Sequence, residues 1–141
     1  MELTSTTTLN NGVKMPWVGL GVFMSQPGKE VEQAVRWALE IGYRHIDTAS
    51  FYENEDGVGK ALAESDVDRE DIFVTTKVWN SEQGYNETLA AFDRSRSKLR
   101  TDYVDLYLVH WPIQSSFKDT WKALEKLYAN SGIKKRHSVL S

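Results

Sequence analysis

Tyr103-Val104-Asp105-Leu106-Tyr107-Leu108-Val109 is the most strand-like stretch of the chain, dense in the β-branched and aromatic residues that suit a pleated surface. Helical patterns bracket it. Upstream, Leu89, Phe92 and Leu99 share one face of a helix predicted over 85–99. Downstream, Trp121, Leu124, Leu127 and Tyr128 mark another over 117–130. Connections of this length are too long for hairpins and are how parallel strands are joined.

The alternation repeats toward the amino terminus. Ile72-Phe73-Val74-Thr75-Thr76 predicts a strand behind a helical stretch around 57–64. Tyr43 to Asp47 predicts another, behind a helix whose apolar stripe is Val31, Ala34, Val35, Ala38 and Leu39. Pro27-Gly28 precedes that helix and Gly42 closes it as a carboxyl cap. Trp17-Val18-Gly19-Leu20-Gly21 reads as a short apolar strand. Thr6 to Lys14 reads as a β-hairpin turning at Asn10-Asn11-Gly12, residues that tolerate positive φ. Beyond the last helix, Gly132-Ile133 is expected to begin a fifth strand. Strands and helices alternating four times signal a parallel α/β sheet of βαβ units. The order alone does not separate an open doubly wound sheet from part of a barrel.

The 141 residues are 40% hydrophobic and 26% charged, with five Trp, six Tyr and five Phe to fill a core. A net charge of -3 argues against nucleic acid as a partner, because phosphate binding wants clustered Lys and Arg. Lys134-Lys135-Arg136 is the one basic run, read as a solvated tail. No apolar stretch approaches the roughly 20 residues of a membrane helix. The start of the chain lacks the basic and apolar segments of a secretory signal, and the absence of cysteine removes thiolate metal sites. These features together read as a cytoplasmic protein with no metal.

Gly19-Leu20-Gly21 invites a dinucleotide-loop reading, but a third glycine and a following helix are missing. The informative residues are others. Asp47 and Tyr52 follow the second strand of the alternation, Lys77 ends the third and His110 the fourth. In a parallel sheet all four lie at the carboxyl ends of the strands, where α/β barrels build their active sites. An acid, a phenol, an amine and an imidazole there form a proton-transfer set. Singly, each has an ordinary structural reading: helix cap, packed phenol, solvated strand end, core histidine. Four on one face are harder to dismiss.

Gly42-Tyr43-Arg44-His45-Ile46-Asp47-Thr48-Ala49, continuing through Phe51-Tyr52 and Glu55 to Gly59, resembles the signature of the aldo-keto reductases. Thr76-Lys77-Val78-Trp79 and the run from Asp102 to Pro112 resemble that family's third and fourth strand segments. The likeness extends from about Leu9 to Ile133, and is strongest to bacterial members that reduce glyoxals and small aldehydes. It implies a (β/α)8 barrel of which this sequence covers the first four βα units, preceded by the hairpin. It also implies NADPH as cofactor and a small carbonyl substrate, reduced to an alcohol.

By that resemblance Asp47, Tyr52, Lys77 and His110 are the catalytic tetrad. Tyr52 donates the proton that quenches the oxyanion formed by hydride transfer. A free phenol is a weak acid at neutrality, with a pKa of about 10, and a cation beside it favours the phenolate. Lys77 is that cation and Asp47 holds it, while His110 orients the carbonyl. Gly21, Val22 and Asp47 lie near the nicotinamide; Phe23, Trp79, His110 and Trp111 wall the substrate pocket.

Complete family members run to about 250 residues or more. The family pattern continues past Lys134 into a strand ending in Ser-Asn, whereas residues 135–141 diverge from it. The sequence is thus expected to represent the amino-terminal half of a barrel. Most pyrophosphate and adenosine contacts would lie in the other half, and losing three charge-assisted hydrogen bonds would weaken binding by roughly three orders of magnitude or more. A second reading follows: a catalytically inactive remnant, or a half-barrel that self-associates through unpaired strand edges. A flavodoxin-like open sheet is a third, without the phosphate loop it needs.

Overall fold

The computed structural model describes residues 1–130 and the strand Ser138–Val139. An antiparallel hairpin comes first, β1 (Thr6–Thr8) against β2 (Lys14–Pro16), with Gly12 at φ 83° in its turn. The main sheet follows: β3 (Leu20–Gly21), β4 (His45–Asp47), β5 (Phe73–Val78), β6 (Leu106–Val109) and β7 (Ser138–Val139). Its strands lie side by side in chain order and every pairing is parallel. Between them run α1 (Lys29–Glu40), α2 (Glu55–Ala63), α3 (Tyr85–Lys98) and α4 (Phe117–Asn130). This is the α/β architecture expected, four βα units behind a hairpin.

Amphipathic spacing explains the layers. Helix α1 buries Val31, Val35, Ala38 and Leu39, and Ile46, Val74 and Val78 meet that core from the helix-facing side of the sheet. Side chains alternate along a strand, so Asp47 and Lys77 fall on the opposite face. Gly42, at φ 108°, ends α1: its N–H bonds Leu39 O and the next amide bonds Ala38 O. The Tyr43 N–H is thereby committed to the helix end and β4 starts at His45 rather than Tyr43, with Arg44 O already accepting the Phe73 N–H.

The last predicted strand is likewise shortened, to Leu106–Val109. Arg69 donates to Tyr103 O and to the Asp105 carboxylate, which in turn accepts the Val74 N–H at 2.9 Å. These side-chain bonds hold the entry to β6 together with one backbone bond, Asp105 N–H to Val74 O. In the first strand only Leu20–Gly21 pairs; Trp17 is exposed and its N–H goes back to Ser5 O.

Two helix faces differ from the predicted stripes. Helix α3 buries Thr88, Ala91 and Ser95, with Leu99 just past its end, whereas Leu89 and Phe92 sit on the flank. Arg96, which shares the Leu89 stripe, keeps 42% of its side chain exposed and pairs with Asp93, so its charge is not buried. Helix α4 buries Thr120, Ala123 and Leu124, leaving Trp121 and Tyr128 partly exposed. The expected start of a strand at Gly132-Ile133 and the basic run after it lie outside the described residues. No helix among the described residues is long and apolar enough to cross a membrane.

Gly59 fixes how α2 meets α3. A Cβ there would lie 2.1 Å from Lys98 O and 2.7 Å from the Leu99 backbone. Only glycine permits that approach.

Candidate active site

Strand register sets the site. Gly21 pairs with Asp47 and Asp47 with Thr75, while Lys77 pairs with Leu108 two residues before His110. The carboxyl ends of β3 to β6 therefore form one rim. Tyr52 reaches it from a short 3-10 turn, Ser50–Tyr52, between β4 and α2. That turn leaves through Glu53 at φ 55°, a left-handed conformation that needs support from its surroundings.

Asn54 supplies it. The side chain is 1% exposed; its Nδ2 donates to Val22 O at 3.0 Å and Ser25 O at 3.2 Å, and its Oδ1 accepts from Thr48 Oγ1 at 2.9 Å. One buried amide so locks the turn bearing Tyr52 to the end of β3. Sequence reading did not single it out; the signal was an Asn bounded by Glu53 and Glu55 where the chain must reverse.

Lys77 Nζ stands at the centre. It donates to Asp47 Oδ1 at 2.6 Å and to Thr48 O at 2.9 Å, and lies 3.5 Å from Tyr52 Oη, the outer limit of a hydrogen bond. Its side chain is only 14% exposed against 35% for Asp47, so the pair is much less screened than a surface bridge. His110 closes the group, its ring 5.8 Å from Tyr52 and nearly perpendicular to it. Burial holds its imidazole below the ordinary value, helped by the Lys77 cation and opposed by Asp47. The ring is therefore neutral at neutral pH. Its Nδ1 is buried and has no partner among the described residues.

Aromatic rings surround the four. Trp79 stands edge-on to His110 at 5.0 Å and stacks on Phe51 at 3.9 Å; Phe23 tilts over Tyr52 at 5.1 Å. Phe51 was not among the expected wall residues. Trp111 keeps to the rim, 62% exposed, while Gln83 Nε2 holds its carbonyl at 2.6 Å. Gly21 faces open space, with nothing within 4 Å of where a Cβ would be. Val22 is fully buried and its N–H and C=O already bond Asp47 O and Asn54 Nδ2. The structure thus brings together Asp47, Tyr52, Lys77, His110, Phe23 and Trp79, with Gly21 on the same rim. No cluster able to hold a metal occurs among the described residues.

A family model described as the aldo/keto reductase family matches residues 18–136. The chain belongs to the aldo/keto reductase family. It is 61% identical over 127 residues to the 9,11-endoperoxide prostaglandin H2 reductase of Trypanosoma cruzi, covering 90% of this chain and 45% of that protein. It is 54% identical over 133 residues to the glyoxal reductase of Bacillus subtilis, covering 94% and 48%. An aldo/keto reductase structure from Brucella melitensis superposes with a TM-score of 0.89 at 50% identity, over 96% of this chain and 51% of that one. An aldo-keto reductase from Bombyx mori in complex with NADP superposes with a TM-score of 0.81 at 35% identity, over 96% and 50%. The chain spans about half the length of the relatives it matches.

Proposed function

We propose that this chain carries the catalytic half of a carbonyl reductase that uses NADPH to turn small aldehydes or ketones into alcohols. The observation behind this is the contact of Lys77 with Asp47 and Tyr52 on the rim that also carries His110. The residues fit a nicotinamide. Gly21 leaves open space beside Asp47, and the rim offers a phenol, a neutral imidazole and a held cation instead of a metal-ligand set.

When bound, the cofactor supplies a hydride to the carbonyl carbon. The protein handles the charge that appears on oxygen. His110, as a neutral imidazole, donates a hydrogen bond to the carbonyl and aims it. Tyr52 Oη gives its proton to the developing alkoxide, making the alcohol. Lys77 Nζ, 3.5 Å away, stabilises the phenolate left behind. Asp47 and the Thr48 carbonyl keep that ammonium in place. Phe23, Phe51 and Trp79 exclude water, which strengthens each of these interactions.

Titrating the chain with NADPH while following tryptophan fluorescence tests the reading. Trp79 sits against the site, so saturable quenching is expected at micromolar to millimolar cofactor, and equally in Tyr52→Phe. No quenching up to millimolar cofactor would refute a nicotinamide site on this chain.

A further inference from the structure

Opposite Asn54, the turn that carries Tyr52 meets a second anchor that the tetrad does not include. Ser50 Oγ lies 2.8 Å from Glu82 Oε2 and 3.2 Å from Lys77 O. A hydroxyl has one proton to give, and the nearer, charged acceptor is the stronger. The same carboxylate oxygen faces the Trp79 N–H at 3.4 Å, and Oε1 accepts from Arg94 Nη2 at 3.1 Å. Glu82 thus gathers three segments: the Tyr52 turn, the backbone leaving β5 just after Lys77, and helix α3. Burial alone would raise its carboxyl, but hydrogen bonds from Ser50, Arg94 and Trp79 N outweigh burial and hold it below the ordinary value. It is charged at neutrality.

We propose that Glu82 is a positioning residue, whose bond to Ser50 sets Tyr52 against Lys77 and keeps Phe51 stacked on Trp79. This rests on the reading of Tyr52 and Lys77 as the reacting pair. The geometry explains why such a brace matters. The Lys77–Tyr52 contact sits at 3.5 Å, so a small outward movement of the turn ends it. Asn54 fixes the turn downstream of Tyr52, Lys77 and Asn54 hold Thr48 two residues before it begins, and within the turn itself Ser50 supplies the side-chain bonds upstream of Tyr52. The arms are unequal. Arg94 is 56% exposed and screened by solvent, whereas Ser50 and Glu82 are partly buried. Ser50 should therefore matter more than Arg94.

The test is the Cζ resonance of Tyr52 in protein labelled with [ζ-13C]tyrosine, assigned by its loss in Tyr52→Phe. Lys77→Met is the control that must move it. Ser50→Ala is expected to shift or broaden the Tyr52 signal and leave the other five tyrosines in place, and Glu82→Ala to do the same except at Tyr107, which also feels the Glu82 charge. Arg94→Met should move it less, and Ser50→Thr, which keeps the hydroxyl, should restore the wild-type position. A Tyr52 signal unmoved in both alanine variants, with the control responding, would overturn the proposal. So would equal movement of all six tyrosines, which is general loosening. Steady-state rates add a second reading: kcat should fall about five- to tenfold in Ser50→Ala, at unchanged KM for NADPH. Lack of turnover in the unaltered chain would count against the reductase reading and leave the resonance comparison standing.

Discussion

Replacing Asn54 with alanine removes three hydrogen bonds from a side chain that is 1% exposed. Net contributions of about 0.5–1.5 kcal/mol per bond, with a further cost for polar groups left bare, give about 2–4 kcal/mol. The bare groups can be named. Val22 O keeps a second donor in the Ser25 N–H, so the penalty falls mainly on Ser25 O and Thr48 Oγ1. For a chain of this size the loss corresponds to a melting temperature lowered by roughly 6–15 °C. Asn54→Asp sharpens the argument. It is nearly isosteric and keeps the acceptor for Thr48, yet it sets a carboxylate against two carbonyl oxygens in a buried site. Asp should therefore be worse than Ala. Urea unfolding followed by far-ultraviolet circular dichroism measures both. An alanine variant within about 1 kcal/mol of wild type, or an aspartate variant more stable than the alanine one, would refute this account of the turn.

Three other outcomes follow from the fold. Burial holds the Glu55 carboxyl above its ordinary value, partly offset by Thr76, Ser95 and Lys98 and reinforced by Glu82. The folded state then binds its proton more tightly than the unfolded chain, so this group's stabilising contribution is full at acid pH and is lost as pH rises through the raised value. Glu55→Gln should remove that fall, gaining on wild type between acid and neutral pH; parallel stability curves would contradict the assignment. Gly59→Ala forces a Cβ onto the Lys98 carbonyl and should cost about 1–3 kcal/mol in urea unfolding; an unchanged midpoint would mean that α2 and α3 part freely. The exposed rings of Trp17, Phe23 and Trp37 and the unpaired side of β3 should make the isolated chain self-associate. Sedimentation velocity checks this, and a monodisperse monomer would refute it.

Local chemistry explains what could be read in advance. Helix α4 is legible to its ends because its polar and apolar residues alternate at helical spacing, and Gly42 marks the end of α1 because a positive φ there needs glycine. Asp47, Lys77 and His110 were legible as a group because parallel strands put their carboxyl ends on one side. What was not legible depends on partners distant in sequence. The residues before Leu106 look like strand, but Arg69, more than thirty residues earlier, takes the Tyr103 carbonyl and the Asp105 carboxylate. Arg96 occupies an apolar stripe, yet that stripe lies on the flank of α3, where the guanidinium reaches Asp93. The Asn54 clamp and the Ser50–Glu82 contact join residues about thirty apart, and no periodicity announces such a pair.

The proposed reaction turns on Tyr52, held by Lys77 beside His110, giving the proton in a nicotinamide-dependent carbonyl reduction. Oxidation of NADPH by the purified chain, with glyoxal or methylglyoxal as substrate, tests it most directly when wild type and Tyr52→Phe are compared. Aldehyde-dependent NADPH loss is expected for wild type, with a decrease of about 10²–10⁴-fold in Tyr52→Phe and cofactor binding unchanged. Equal rates in the two proteins would contradict it.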